Sequence, residues 1–233
     1  SGGERFRFNG SATGRVGYII NAGNGNPAHM AVYNNMLYFS ANGNDGAGVE
    51  LWKTDGTAIT RAADIHPGTG DSNPTYLAVY NNLLYFSATS NDGAGTELWK
   101  FDGTTATRVL DINTGVGNSN PSYLAVFNNM LYFSANGNDG AGTELWRYDG
   151  TTATRIADVN PGTADSGPTF LTVFNNALYF SATGDSAGTE LWKYDGTTAK
   201  RVSDLNTAGN SNPAFLTVFD NALFFQANGG DGV

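Results

Sequence analysis

Apolar residues in this chain come in short runs separated by polar, glycine-rich breaks. One stretch shows the plan. Tyr76-Leu77-Ala78-Val79-Tyr80 is a β-rich run that Asn81-Asn82 interrupts, and 83–88 follows, rich in aromatic residues. The loop Asn91-Asp92-Gly93-Ala94-Gly95 leads into a third run at 97–101; Asp102-Gly103-Thr104 leads into a fourth at 106–112. No stretch repeats apolar residues every third or fourth position over three turns, so the pattern predicts strands and no helix. Asn-Asn and Asp-Gly pairs tolerate the positive φ of tight turns, which makes three of the four connections hairpin-like. The fourth, 113–121, is the longest and reads as a crossover to the next unit.

The same plan recurs along the chain. Glu-Leu-Trp begins at Glu50, Glu97, Glu144 and Glu190, and Pro27, Pro74, Pro121, Pro168 and Pro213 keep the same period. Segments 74–110 and 121–157 are identical at 28 of 37 positions, a mark of recent amplification or of design. Four strands repeated every 40–50 residues predict propeller blades. Residues 4–10 align with 190–196, so the chain begins at the third strand of a blade and ends in the loop before that strand. The expectation is therefore an all-β single domain, 1–233. It is a five-bladed β-propeller with four antiparallel strands per blade, closed by pairing the N-terminal two strands with the C-terminal two. The repeats run about 26–72, 73–119, 120–166 and 167–211, with 212–233 plus 1–25 as the fifth.

The segment Glu50-Leu51-Trp52-Lys53-Thr54-Asp55-Gly56-Thr57, with its copies at 97–104, 144–151 and 190–197, resembles the ELWxxDGT repeat of large bacterial proteins. That resemblance covers essentially the whole chain and implies a propeller in an extracellular setting. The copy at 4–11 departs from it at Arg5, Phe6, Asn9 and Ser11. The architecture is also similar to the five-bladed lectin tachylectin, whose motifs are not found here.

A net charge of −9 excludes a nucleic-acid partner, since phosphate binding needs clustered Lys and Arg. No apolar run approaches a membrane span, and no basic, apolar leader is seen. Cysteine is absent. Low Lys content with abundant Thr, Asn and Gly points to a secreted or cell-surface protein.

Candidate chemistry is constrained by the repetition, because one active site needs one unlike set of groups. Arg15, Arg61, Arg108, Arg155 and Arg201 are one per repeat, and every Glu occupies a single repeat position. No unique acid–base pair remains, so no catalytic residue is assigned and the expectation is that the protein is not an enzyme. His29 stands where other copies hold Tyr or Phe and reads as a packed ring; His66 stands where they hold Asn and reads as a loop variant. Trp52, Trp99, Trp146 and Trp192 could stack on sugars, but their mid-strand places favour the core. Arg61, Arg108, Arg155 and Arg201 read as structural, paired within their own blades to Glu or an aromatic face.

The Asn-Asp-Gly-Ala-Gly loop is the richest in oxygen ligands. Asp45, Asp92, Asp139, Asp185 and Asp231 recur there, so calcium is the one cofactor these loops admit, although a plain turn also fits. Topology puts these loops and the crossovers at the same end of each blade. Ligand grooves are expected between Asp71-Ser72-Asn73, Asn118-Ser119-Asn120 or Asn210-Ser211-Asn212 on one wall and the Asp92 and Asp139 loops on the other. Such a mix suits neutral sugars, which need hydrogen-bonding groups beside apolar ring faces. The sequence therefore predicts a non-catalytic, lectin-like binding module with several equivalent sites, monomeric, for glycans or a cell-surface or matrix protein. The alternative is a structural or protein-interaction propeller without a small-molecule ligand.

Overall fold

The turns are built as their residues dictate. In the computed structural model, which describes residues 25–184, 186–207 and 209–230 and the backbone of 5–8 and 13–17, both residues of each Asn-Asn pair have positive φ, as at Asn81 (45°) and Asn82 (56°). That geometry matches the twist of a two-residue hairpin. The Asp-Gly-Thr turns close through the Asp side chain. Asp55 Oδ1 accepts the Thr57 and Ala58 amides at 2.8 and 2.9 Å and the Thr57 hydroxyl at 2.7 Å, while Gly56 takes φ 96°. Those hydrogen bonds hold Asp55 down to about 2. The Asp-Gly-Thr part of the repeated motif is thus turn chemistry.

Between these turns lie the strands. Two form a hairpin, β1 (Arg5–Phe8) and β2 (Thr13–Gly17). Then come β3 (Ala28–Tyr33), β4 (Met36–Asn42), β5 (Val49–Thr54) and β6 (Ile59–Ala63). The next set is β7 (Thr75–Tyr80), β8 (Leu83–Thr89), β9 (Thr96–Phe101) and β10 (Ala106–Leu110). It is followed by β11 (Ser122–Phe127), β12 (Met130–Asn136), β13 (Thr143–Tyr148) and β14 (Ala153–Ala157). A further four are β15 (Thr169–Phe174), β16 (Ala177–Thr183), β17 (Thr189–Tyr194) and β18 (Ala199–Ser203). The last two are β19 (Ala214–Phe219) and β20 (Ala222–Gln226). Each set of four is an antiparallel sheet in sequence order, and no helix occurs among the described residues.

The chain divides into two compact units, Ser1–Asp111 with Gly115–Asn118, and Ile112–Thr114 with Ser119–Val233. In the first, Tyr33, Tyr38, Leu51, Leu84, Phe86, Trp99 and Phe101 form the core between sheets β3–β6 and β7–β10. In the second, Phe127, Tyr132, Leu145, Leu178, Phe180, Trp192 and Tyr194 do the same between β11–β14 and β15–β18.

The expected pairing of the terminal strands into one sheet is not present in the strand order. The β1–β2 hairpin and β19–β20 are separate two-stranded sheets. In β19–β20, Phe219 and Phe224 are 70% and 54% exposed, whereas their counterparts Phe127 and Tyr132, packed against Leu178, Phe180, Trp192 and Tyr194 of the neighbouring sheet, are 3% and 2% exposed.

Candidate functional site

The Glu of each Glu-Leu-Trp segment anchors the crossover that follows. Glu50, Glu97, Glu144 and Glu190 are wholly buried. The Glu50 carboxylate accepts the Ile65 amide at 2.7 Å and the Ser72 amide and hydroxyl at 3.2 and 2.7 Å. Glu144 does the same for the Val159 amide (2.9 Å) and for the Ser166 amide and hydroxyl (2.9 and 2.6 Å), and Glu190 for the Ser211 amide and hydroxyl (2.9 and 2.6 Å). Burial pushes the Glu50 and Glu144 carboxyls up, against the downward pull of these bonds. Each crossover is clamped a second time. Asp71, Asn118, Asp165 and Asn210 accept the amides of Val49, Thr96, Thr143 and Thr189. Gly48 and Gly95 let the crossover backbone approach, since a Cβ there would lie 2.4 and 2.2 Å from the Gly70 and Gly117 carbonyl oxygens.

A second repeated feature lies at the start of every first strand, where the register with the second strand slips. At the slip sit His29, Tyr76, Tyr123, Phe170 and Phe215, all with φ between 51° and 56°. Bulky side chains seldom adopt that conformation. The bulge turns the rings toward one another: His29 and Tyr76 centroids are 5.7 Å apart, Tyr123 and Phe170 5.2 Å, Phe170 and Phe215 5.4 Å. His29 thus takes its place as a ring in this row.

The two features meet in a groove of about 400 Å³ in the second unit. Its lining includes Asp165, Gly167, Phe170, Thr183, Thr189 and Asn212. The Thr183 and Thr189 hydroxyls are 2.7 Å apart, the Thr183 amide donates to the Ser166 carbonyl at 2.8 Å, and the Asn212 amide donates to the Thr189 carbonyl at 3.1 Å. An aromatic residue, several hydroxyl-bearing residues, an asparagine and an aspartate therefore border one space.

Of the groove residues expected from sequence, Asn212 lines this space. Ser72, Ser119 and Ser211 are wholly buried; the Ser72 and Ser211 hydroxyls are bonded to the Glu carboxylates, as is that of Ser166, which borders the groove. Asp71, Asn118 and Asn210 use one side-chain oxygen each to hold the next strand, as above. Asn73 and Asn120 are exposed, with φ 46° at both. Asp165-Ser166-Gly167, the crossover copy that borders the groove, was not among the expected site residues. Gly167 there replaces the asparagine that the other copies hold at Asn26, Asn73, Asn120 and Asn212.

The Asp92 and Asp139 carboxylates of the expected second wall are engaged by arginine. Asp92 pairs with Arg108 at 3.3 Å, Asp139 with Arg155 at 2.8 Å, and Asp45 with Arg61 at 3.5 Å. The same arginines reach Asp111, Asp158 and Asp64, and Arg201 reaches Asp204 at 2.9 Å. The expected arginine partners, Glu or a ring, are thus corrected to these aspartates, and the Arg155 guanidinium holds Asp139 below the usual carboxylate range. As calcium ligands, Asp45, Asp92 and Asp139 are already turned to arginine, and among the described residues no three His, Cys, Asp or Glu side chains gather as a metal site. Asp185 and Asp231 lie outside the described residues. Trp52, Trp99, Trp146 and Trp192 are 7–9% exposed, with the Trp52 and Trp146 rings against Gly43 and Gly137.

No protein-family model matches the chain, and no curated protein is similar to it. Solved structures are. A protein described as a gluconolactonase shares 16% identity at a TM-score of 0.52, over 86% of this chain and 71% of that one. A xyloglucanase from Xanthomonas campestris also shares 16% at 0.52, over 77% of this chain and 30% of that one. The β-propeller domain of a protease from Pyrococcus furiosus shares 10% at 0.49, over 75% and 53%. At such identities the likeness shows the fold alone: repeated four-stranded antiparallel sheets of the β-propeller kind. It also overturns the expectation that the protein is not an enzyme. Solved structures of this fold carry enzyme names, so the repetition of polar residues gives no ground for excluding catalysis.

Proposed function

We propose that this propeller recognises carbohydrate in grooves beside the first strands of its sheets, outside the cell or on its surface. The observation that carries the reading is the groove at Phe170, where an aromatic residue stands with Thr183, Thr189 and Asn212 around one space. Sugars offer an apolar face and a set of hydroxyls, and this lining supplies a partner for each. A volume of about 400 Å³ falls within the range of small-molecule sites. The residues that build it recur in other copies, so weak single sites would combine into strong attachment to a multivalent surface, by a factor of about 10²–10⁴. Kinship with the ELWxxDGT-repeat proteins and likeness to tachylectin belong to the same proposal.

The five-bladed ring goes with it. Residues 4–10 align with the third-strand segment 190–196, so β1–β2 are third- and fourth-strand in type. The β19–β20 hairpin is first- and second-strand in type and exposes Phe219 and Phe224. Removing 1–17 would then lower the melting temperature by many degrees; a truncated chain melting with the full one would refute the ring.

A glycan array probed with the protein displayed on a multivalent carrier tests the function. Binding to neutral glycans is expected. A blank array on folded protein would refute carbohydrate recognition and leave the protein-interaction reading, which the exposed Phe215, Phe219 and Phe224 favour.

A further inference from the structure

The repeated crossovers are not equal, and the copy that borders the groove differs from all the others at one position. Where Asn26, Asn73, Asn120 and Asn212 stand in other copies, this one has Gly167, with nothing within 4 Å of the place its Cβ would occupy. Where Asn118 and Asn210 stand in two copies, it has Asp165, a carboxylate it shares with the Asp71 copy. Both residues line the groove.

We infer that the groove bounded by Asp165, Gly167, Phe170 and Asn212 is the principal carbohydrate subsite of this chain, and that it takes neutral or amino sugars in preference to acidic ones. The inference rests on the carbohydrate reading above and goes beyond it, because that reading treats the copies alike. Gly167 leaves free the space that an asparagine side chain occupies in the other copies. Among the described residues, Asp165 is the only charged one of the lining. Its Oδ1 accepts the Thr143 amide, and the side chain as a whole is exposed. A carboxylate at the rim with no Lys or Arg to offset it disfavours a uronic or sialic acid and favours an ammonium group. Solvent screening keeps the preference small, about threefold.

Two substitutions isolate these roles without disturbing the fold, because each installs what other copies already hold. Gly167→Asn places asparagine at φ 51°, close to the 42–47° at which Asn26, Asn73, Asn120 and Asn212 sit. Asp165→Asn keeps an oxygen for the neighbouring amide, as Asn118 and Asn210 do at 2.7 and 2.8 Å, and removes the charge.

The experiment is a titration of isotope-labelled protein with glucose, glucosamine and glucuronate, followed by the amide resonances of Gly167, Thr183 and Thr189 and those of Asn26, Asn73 and Asn120. The expected result is that glucose and glucosamine shift the first set at concentrations at least several-fold lower than the second. Glucuronate follows about threefold weaker. G167N abolishes the first response, and D165N removes the difference between the three sugars. Equal shifts at every copy, with G167N removing only one share, would overturn the inference and leave carbohydrate binding standing. Absence of any shift with all three sugars, together with a blank glycan array, would overturn both.

Discussion

Glu144 Oε2 accepts the Ser166 hydroxyl at 2.6 Å, deep under the crossover whose next residue, Gly167, lines the groove. The Glu of the repeated motif therefore holds the loop that shapes the site without reaching the site itself. Replacing Glu144 by Ala strands the Val159 amide in a dry environment, where an unsatisfied group costs about 1–3 kcal/mol, and leaves the Ser166 amide and hydroxyl only their longer bonds to the Thr143 carbonyl. A loss of about 3 kcal/mol in chemical denaturation is expected, with weaker sugar binding in the fraction that remains folded. An E144A protein of unchanged stability would contradict the clamp.

The carboxylates fall into two sets with opposite responses to acid. Glu50 and Glu144 have carboxyls raised by burial, so the folded state binds their protons more tightly than the unfolded chain does. Their ionisation costs stability above that raised range, and acidification relieves the cost as pH falls toward the ordinary Glu value near 4.5. Asp55, Asp102, Asp149 and Asp195 in the hairpin turns are depressed. What they contribute is present above the ordinary Asp value of 3.8 and is lost as pH falls toward about 2 for Asp55. Urea midpoints should be level or higher at pH 5 than at pH 7, and clearly lower at pH 3. A fall already between pH 7 and 5 would contradict the assignment of the Glu set.

Trp99, 7% exposed and packed with Leu51, Leu84 and Phe86, fills the core of the first unit. Trp99→Ala should cost about 3–5 kcal/mol while leaving the groove at Phe170 able to bind. Lost sugar binding at an unchanged melting temperature would make this ring a sugar platform instead.

Arg155 bridges Asp139 at 2.8 Å and Asp158 at 3.4 Å with all three side chains about a third exposed. Exposed pairs of this kind contribute roughly 0–1 kcal/mol, so Arg155→Met should lower the melting temperature by no more than a few degrees, less at high salt. Because the arginines already occupy Asp45, Asp92 and Asp139, melting in calcium and in chelator should coincide. A rise of several degrees in calcium would show that the ion displaces the arginine.

Much of the fold was legible because it is local. The strand at 97–101 became β9 (Thr96–Phe101) and that at 83–88 became β8 (Leu83–Thr89), since alternation and Asn-Asn or Asp-Gly turns fix strands within a few residues. The site was less legible because its key contacts span about half a repeat. Glu144 and Ser166 are 22 residues apart, and neither shows in sequence that the serine faces inward. The positive φ of Phe170 was hidden too, for a bulge occupied by an aromatic residue lacks the glycine that would mark it. Gly167 carried the most information, as a departure from the repeat.

The measurement that tests the central claim most directly is a crystal structure of the protein soaked with the neutral glycan that scores highest on the array. The account predicts sugar density against the Phe170 ring, within hydrogen-bond reach of Asn212 and the Thr183–Thr189 pair. Density confined to the Asn-Asn hairpins at the other end of the sheets, with the Phe170 groove holding only solvent, would contradict it.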